Sequence, residues 1–123
     1  MSPDEFDELV QGAYGRIPAR FRTRLKNVAM LVEAEPSAAQ LAEARVGPGG
    51  TLLGLYQGRP LTQRSVFESF TMPDRITIFQ GPHERLARGK AELQRMVEGT
   101  VWHEVAHYFG MDERQVRAAE RRR

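Results

Sequence analysis

Residues 102–113 read WHEVAHYFGMDE, and this stretch decides how the rest of the chain is read. His103 and His107 stand four residues apart, with Glu104 directly after the first, in a run that is otherwise apolar. Projected at about 100° per residue, positions 89–110 form one helix. Leu93, Val97, Val101, Val105 and Tyr108 fall on one stripe, and Trp102, Ala106 and Phe109 continue it around the back. His103 and His107 share a separate edge with Met96 and Thr100. An apolar helix is normally buried, and burying an unpartnered carboxylate costs several kcal/mol, so Glu104 is expected to be partnered, neutralised or facing a wet cavity.

One divalent ion accounts for all three residues. Imidazoles at i and i+4 project from the same side of a helix, near enough to share a zinc ion at about 2.0–2.1 Å. Glu104 lies beside that edge, where it can act as a base without being a ligand. Gly110 ends the helix three residues after His107, and glycine accepts the left-handed backbone that turns a chain back on itself. The pattern is HExxHxxGxxE, with Glu113 the expected third ligand. Two alternatives stay open. Asp112 is one, although with Gln115 it also fits a capping box for a last helix; a water or an upstream residue is the other. His83 follows Gly81 and Pro82 and is read as an exposed turn residue. Against all of this stands the plainer reading of a core helix whose histidines make ordinary hydrogen bonds.

Working outward, the order is helices, three strands, then helices. Ser2, Pro3, Asp4 and Glu5 make a helix start, and Phe6, Leu9, Val10 and Ala13 carry that helix to about residue 15. Pro18 opens a short second helix through about Leu25. NVAMLVEAEP reads as a strand, SAAQLAEAR as a brief helix and VGPGG as a turn. TLLGLYQG (51–58) and DRITIFQGP (74–82) read as the second and third strands, with Ile76 and Ile78 on one face and Thr77 and Phe79 on the other. The connection between them is long, and its Val66, Phe67, Phe70 and Met72 argue for order. Helix resumes at about Glu84, and a last one runs from 113 into the basic end.

Composition bounds the function. At 123 residues and 41% hydrophobic content, one core fits and two domains do not, so residues 1–123 are read as a single domain. Without cysteine there is neither a disulfide nor a thiolate metal site, which suits a cytoplasmic location. The acidic start MSPDEFDELV is unlike a signal peptide, and no apolar run approaches the roughly 20 residues that span a bilayer. No membrane partner is expected. Net charge is only +2, and the clusters at Arg16, Arg20, Arg22, Arg24 and Lys26 and in RQVRAAERRR read first as solvated faces, so nucleic acid is not the expected partner.

HEVAHYFGMDE, LLGLYQGRPLT and PDRITIFQGP together resemble the small bacterial zincin-like metallopeptidases, the minimal zincins, over nearly the whole chain. The resemblance implies an α+β fold with a three-stranded sheet packed against an active-site helix and further helices at both ends. It implies one Zn2+ held by His103 and His107, Glu104 as general base and acid, and an extended peptide or protein substrate added along the sheet edge. The family pattern more often has Asp where Glu113 stands, a difference of one methylene. Ten residues follow Glu113, so a distant downstream ligand is not expected and the third position should be filled locally or from upstream.

The expected function is therefore zinc-dependent hydrolysis of peptide bonds, with Tyr56 and Tyr108 as candidate oxyanion donors that read more simply as packed aromatics. Two other functions fit the motif less closely. Ribosomal-RNA maturation nucleases carry a related histidine motif that ends in Asp-His, whereas here Glu104 follows the first histidine. A non-catalytic zinc- or peptide-binding domain is the other; a structural zinc site would be closed by four protein ligands, and a catalytic one keeps a position open.

Overall fold

The protein, as a computed structural model, is described for residues 1–58 and 73–110, with Arg114 and Ala118. The long connection with Val66, Phe67, Phe70 and Met72, the residues Met111, Asp112 and Glu113, and most of the expected last helix lie outside these residues.

Helix α1 spans Pro3–Gly15. Its start is the expected one: the Ser2 hydroxyl accepts from the Glu5 amide while the Glu5 carboxylate accepts from the Ser2 amide, and Pro3 takes a position whose amide would go unused. That reciprocal bond lowers the Glu5 pKa. Phe6, Val10 and Ala13 face the core. After a short helix α2 (Ala19–Arg22), strand β1 (Val28–Glu33), helix α3 (Ala38–Glu43) and strands β2 (Gly54–Gln57) and β3 (Asp74–Phe79) follow.

The three strands form one open mixed sheet in the order β1-β3-β2, with β3 parallel to β1 and antiparallel to β2. Register places Met30 and Tyr56 beside Ile76, and Val32 and Gly54 beside Ile78, so these residues share a face. That face packs against α1 and the long helix, with Ile76 and Ile78 at its centre. Thr77 and Phe79 point the other way and are buried too, as a central strand requires.

Beyond β3 the structure corrects the sequence reading. Gln80, Gly81 and Pro82 do not extend the strand; they are the first turn of helix α4 (Gln80–Leu86). Proline is tolerated there because first-turn amides lack helical partners anyway. Gly81 is needed for a different reason. A Cβ on it would sit 2.9 Å from the Ala34 carbonyl oxygen and closer still to the Glu35 carboxylate, while its amide donates to that same carbonyl at 2.8 Å. The helical stretch after β3 is also not continuous. It breaks at Ala87–Gly89, where Gly89 has φ +99°, and resumes as α5 (Lys90–Tyr108).

Helix α5 has the faces expected of it. Leu93, Val97, Val101, Val105 and Tyr108 are buried along one stripe, with Trp102 and Ala106 behind. Gly110 has φ +77° and donates to the His107 carbonyl, the left-handed turn expected after the motif. The α+β architecture expected from the sequence is the one observed: helices around a three-stranded sheet. Among the described residues no helix is long and apolar enough to cross a membrane.

Candidate active site

Each candidate residue of α5 is placed by the helix it sits on. Because the Leu93–Tyr108 stripe must face the core, the edge carrying His103 and His107 is rotated to the rim, where both residues are half-buried. Their ring centroids are 4.5 Å apart with planes at 76°. Glu104 lies one step inward and is only 6% exposed. Its Oε1 is 3.1 Å from Nδ1 of His107. A carboxylate accepts, so the proton is on Nδ1, and the lone pair of His107 is on Nε2.

The ligand-type atoms of His103, Glu104 and His107 all lie within 4.8 Å of one another. Two atoms on one zinc ion at about 2.1 Å can be no more than ~4.2 Å apart, a spacing close to the one found here. Two imidazoles one helical turn apart are donors that zinc takes, and the Glu104 carboxyl group stands beside them. The residues present therefore fit such an ion. Glu113 and Asp112, the alternatives for a third ligand, lie outside the described residues.

The site opens into a cleft of about 470 Å³ between residues 51–54 and the α5 positions Met96, Thr100, His103 and Glu104. Apart from the motif itself, its described lining residues carry no charge: Leu52, Leu53, Gly54 and Gly99 are among them. Strand β2 forms one side and stands at the end of the strand order, so its outer edge has no strand partner among the described residues.

Gly54 makes this cleft possible. A Cβ built on it would lie 2.7 Å from Cγ2 of Thr100, 3.1 Å from Cγ of Glu104 and 3.4 Å from the Thr77 carbonyl oxygen. Only a residue without Cβ lets β2 approach α5 this closely. The sequence reading places Thr100 on the histidine edge without giving it a role, and it does not single out Gly54. A signal was present in each case: a glycine inside a strand pattern marks close backbone approach, and Thr100 sits one helical turn before Glu104 on the same edge.

The tyrosines are packed aromatics, as the simpler reading had them. Tyr56 donates to the Asp74 carboxylate at 2.6 Å, and Tyr108 is fully buried with its hydroxyl at the Lys26 amide and the Arg24 carbonyl. The two rings meet edge to face at 6.3 Å. The first basic cluster is dispersed into local contacts. Arg16 pairs with Glu98, Arg22 donates to the Gly15 and Ile17 carbonyls, Arg20 lies over Phe21 and Arg24 over Phe109.

His83 is a second correction. Expected in an exposed turn, it is completely buried on α4. Starting the helix at Gln80 turns position 83 inward, where the ring meets Phe6 and binds the Phe79 carbonyl and the Thr100 hydroxyl. Burial lowers its pKa, with the bond to Phe79 acting weakly in the opposite sense.

Comparison with known proteins agrees with this architecture. A solved structure described as a conserved hypothetical protein from Thermo thermophilus is similar with a TM-score of 0.58 and 24% identity, over 89% of this chain and 94% of that one, a likeness of fold. No curated protein matches the chain. The family model for zincin-like metallopeptidases matches residues 25–123, which takes in the sheet, the cleft wall and the whole of α5. Helix, cleft and motif thus coincide with a match over most of the sequence, and the chain belongs to the zincin-like metallopeptidase family.

Proposed function

We propose that this protein hydrolyses peptide bonds in an extended peptide or protein segment lying along β2, with Glu104 as the proton-transferring group. The observation that carries the proposal is a buried carboxyl group beside two rim imidazoles at the wall of an open cleft whose other described lining residues are uncharged. His103 and His107 would hold one Zn2+, with Glu113 as third ligand; the left-handed Gly110 directs the chain out of the helix just before it. When bound, such an ion supplies polarisation of a carbonyl and a lowered pKa for water.

The protein's own groups do the rest. Glu104 accepts a proton from the attacking water at a carboxylate oxygen and returns it to the leaving nitrogen, so one carboxyl group serves as base and then acid. The outer edge of β2 offers amides and carbonyls that an extended backbone can pair with, and pairing would fix which peptide bond reaches Glu104. The uncharged lining would accept apolar side chains next to that bond.

Glu104→Gln tests the assignment. It keeps shape and hydrogen-bonding capacity while removing the basic oxygen. The expected result is unchanged zinc content by metal analysis and hydrolysis of a cleavable peptide reduced by about 10²–10⁴-fold. A variant that cleaves at the wild-type rate would exclude Glu104 as the base.

A further inference from the structure

The catalytic proposal leaves His83 without a role, yet it is a fully buried histidine and both its ring nitrogens have partners. Its Nδ1 is 2.7 Å from the Phe79 carbonyl oxygen, which can only accept, so Nδ1 carries the proton. Its Nε2 is 2.8 Å from the Thr100 hydroxyl, whose single proton has two acceptors in reach: Nε2 and the Met96 carbonyl at 2.9 Å. One ring thus ties the end of β3 to α5 at the turn that precedes Glu104.

Thr100 has two branches, and each has a neighbour. With Oγ1 held between His83 Nε2 and the Met96 carbonyl, Cγ2 is directed at Gly54, where a Cβ would come within 2.7 Å of it and 3.1 Å of the Glu104 Cγ. Thr100 is therefore locked on one side by a buried hydrogen bond and set on the other against the strand that walls the cleft. A β-branched side chain with one branch fixed has no alternative rotamer that keeps both contacts.

We propose that Thr100, fixed by His83, is a positioning residue for Glu104: the buried chain from the Phe79 carbonyl through His83 to Thr100 sets how closely α5 lies against β2, and with it where the Glu104 carboxyl group stands in the cleft. The inference rests on the hydrolytic reading for its kinetic consequence, but its structural consequence can be read without activity.

The test compares Thr100→Val, which keeps the shape and loses the hydroxyl, with Thr100→Ser, which keeps the hydroxyl and loses the methyl group. In the metal-free protein, the Glu104 side-chain carboxyl 13C signal and the His107 Nδ1 15N signal should shift in Thr100→Val and stay near wild type in Thr100→Ser. With zinc bound, Thr100→Val should lower kcat by about 10- to 100-fold, since displacements of about 1 Å cost up to that much, with KM and zinc affinity little changed. Thr100→Ser should recover kcat to within about threefold, a difference of less than 1 kcal/mol. In a Glu104→Gln background, Thr100→Val should cost nothing further.

Three results would overturn the proposal: wild-type NMR signals in Thr100→Val, equal losses in the Val and Ser variants, or an undiminished Thr100→Val effect when Glu104 is already Gln. If the wild type cleaves no peptide, the hydrolytic reading fails by itself, and the NMR comparison decides the positioning role.

Discussion

Adding one methyl group at Gly54 should disturb both stability and chemistry, and the structure allows the size to be worked out. The new Cβ would lie 2.7 Å from Cγ2 of Thr100, whereas carbon atoms in contact prefer about 3.5–4.0 Å. Relief therefore needs a movement of about 1 Å. Thr100 cannot rotate away without giving up its bond to His83, and β2 is held in place by its pairing with β3. The displacement must fall on α5, and Glu104, whose Cγ is 3.1 Å from the same point, must move with it. Overpacking of this kind costs about 1–3 kcal/mol, and at about 4 °C per kcal/mol for a chain of this length Gly54→Ala should melt about 4–12 °C below wild type. If Glu104 transfers the proton as proposed, a 1 Å error there should lower kcat by up to about 10²-fold. Thermal melting by circular dichroism and steady-state kinetics on one fluorogenic peptide would measure both. The double variant Gly54→Ala/Thr100→Ser removes the opposing methyl group and should recover most of each loss, as coupled neighbours do. If Gly54→Ala melts within about 1 °C of wild type and keeps its kcat, the close approach of β2 to α5 does not position the site.

Two further outcomes follow from other parts of the molecule. The lowered pKa of His83 makes stability depend on pH: the unfolded ring takes up a proton near its ordinary 6.5 while the folded one resists, so the unfolded state binds more protons in the window below 6.5. Its contribution is complete above that value and lost as pH falls from there towards the folded pKa; the melting temperature of the metal-free wild type should fall from pH 7.5 to 5.5 more steeply than that of His83→Gln, and equal slopes would refute this. For the metal, Glu113→Ala should lose zinc on dialysis by about 10-fold or more relative to wild type, whereas Asp112→Ala should retain it. The reverse order would move the third-ligand assignment to Asp112.

What could be read from the sequence was whatever one element determines alone. The faces of α5 follow from the spacing of Leu93, Val97, Val101 and Val105, which is why the histidine edge was found before any contact was known. The Ser2 cap and the left-handed Gly110 are likewise local: a capping residue acts within one turn, and a positive φ is a property of one residue. What was misread depends on partners distant in sequence. The strand reading of QGP fails because Gly81 is held by Ala34 and crowded by Glu35, contacts that no local pattern contains. The burial of His83 follows from that same boundary, since a helix begun at Gln80 turns the ring towards Phe6 and Thr100, whereas a loop would have left it outside. The cluster of arginines is one patch in the sequence and disperses because Glu98 takes Arg16, Phe109 takes Arg24 and the Gly15 and Ile17 carbonyls take Arg22.

The energetics of α5 favour the proposed chemical reading of its motif over a purely structural one. A helix this deeply packed would be satisfied by an apolar residue at position 104, where only 6% of the surface meets solvent. Removing a carboxylate from water costs several kcal/mol, while a hydrogen bond to an ionised group returns about 1.5–3 kcal/mol, and the bond from His107 at 3.1 Å is at the long end of the normal range. Structural needs alone do not ask for a carboxyl group here, still less for one beside two imidazoles and opposite a strand that gave up its Cβ to admit it. Each of those features lowers stability or narrows the sequences that fold. They act together if the carboxyl group must stand at one place at the wall of the cleft, which the proposed proton transfer would require and packing does not.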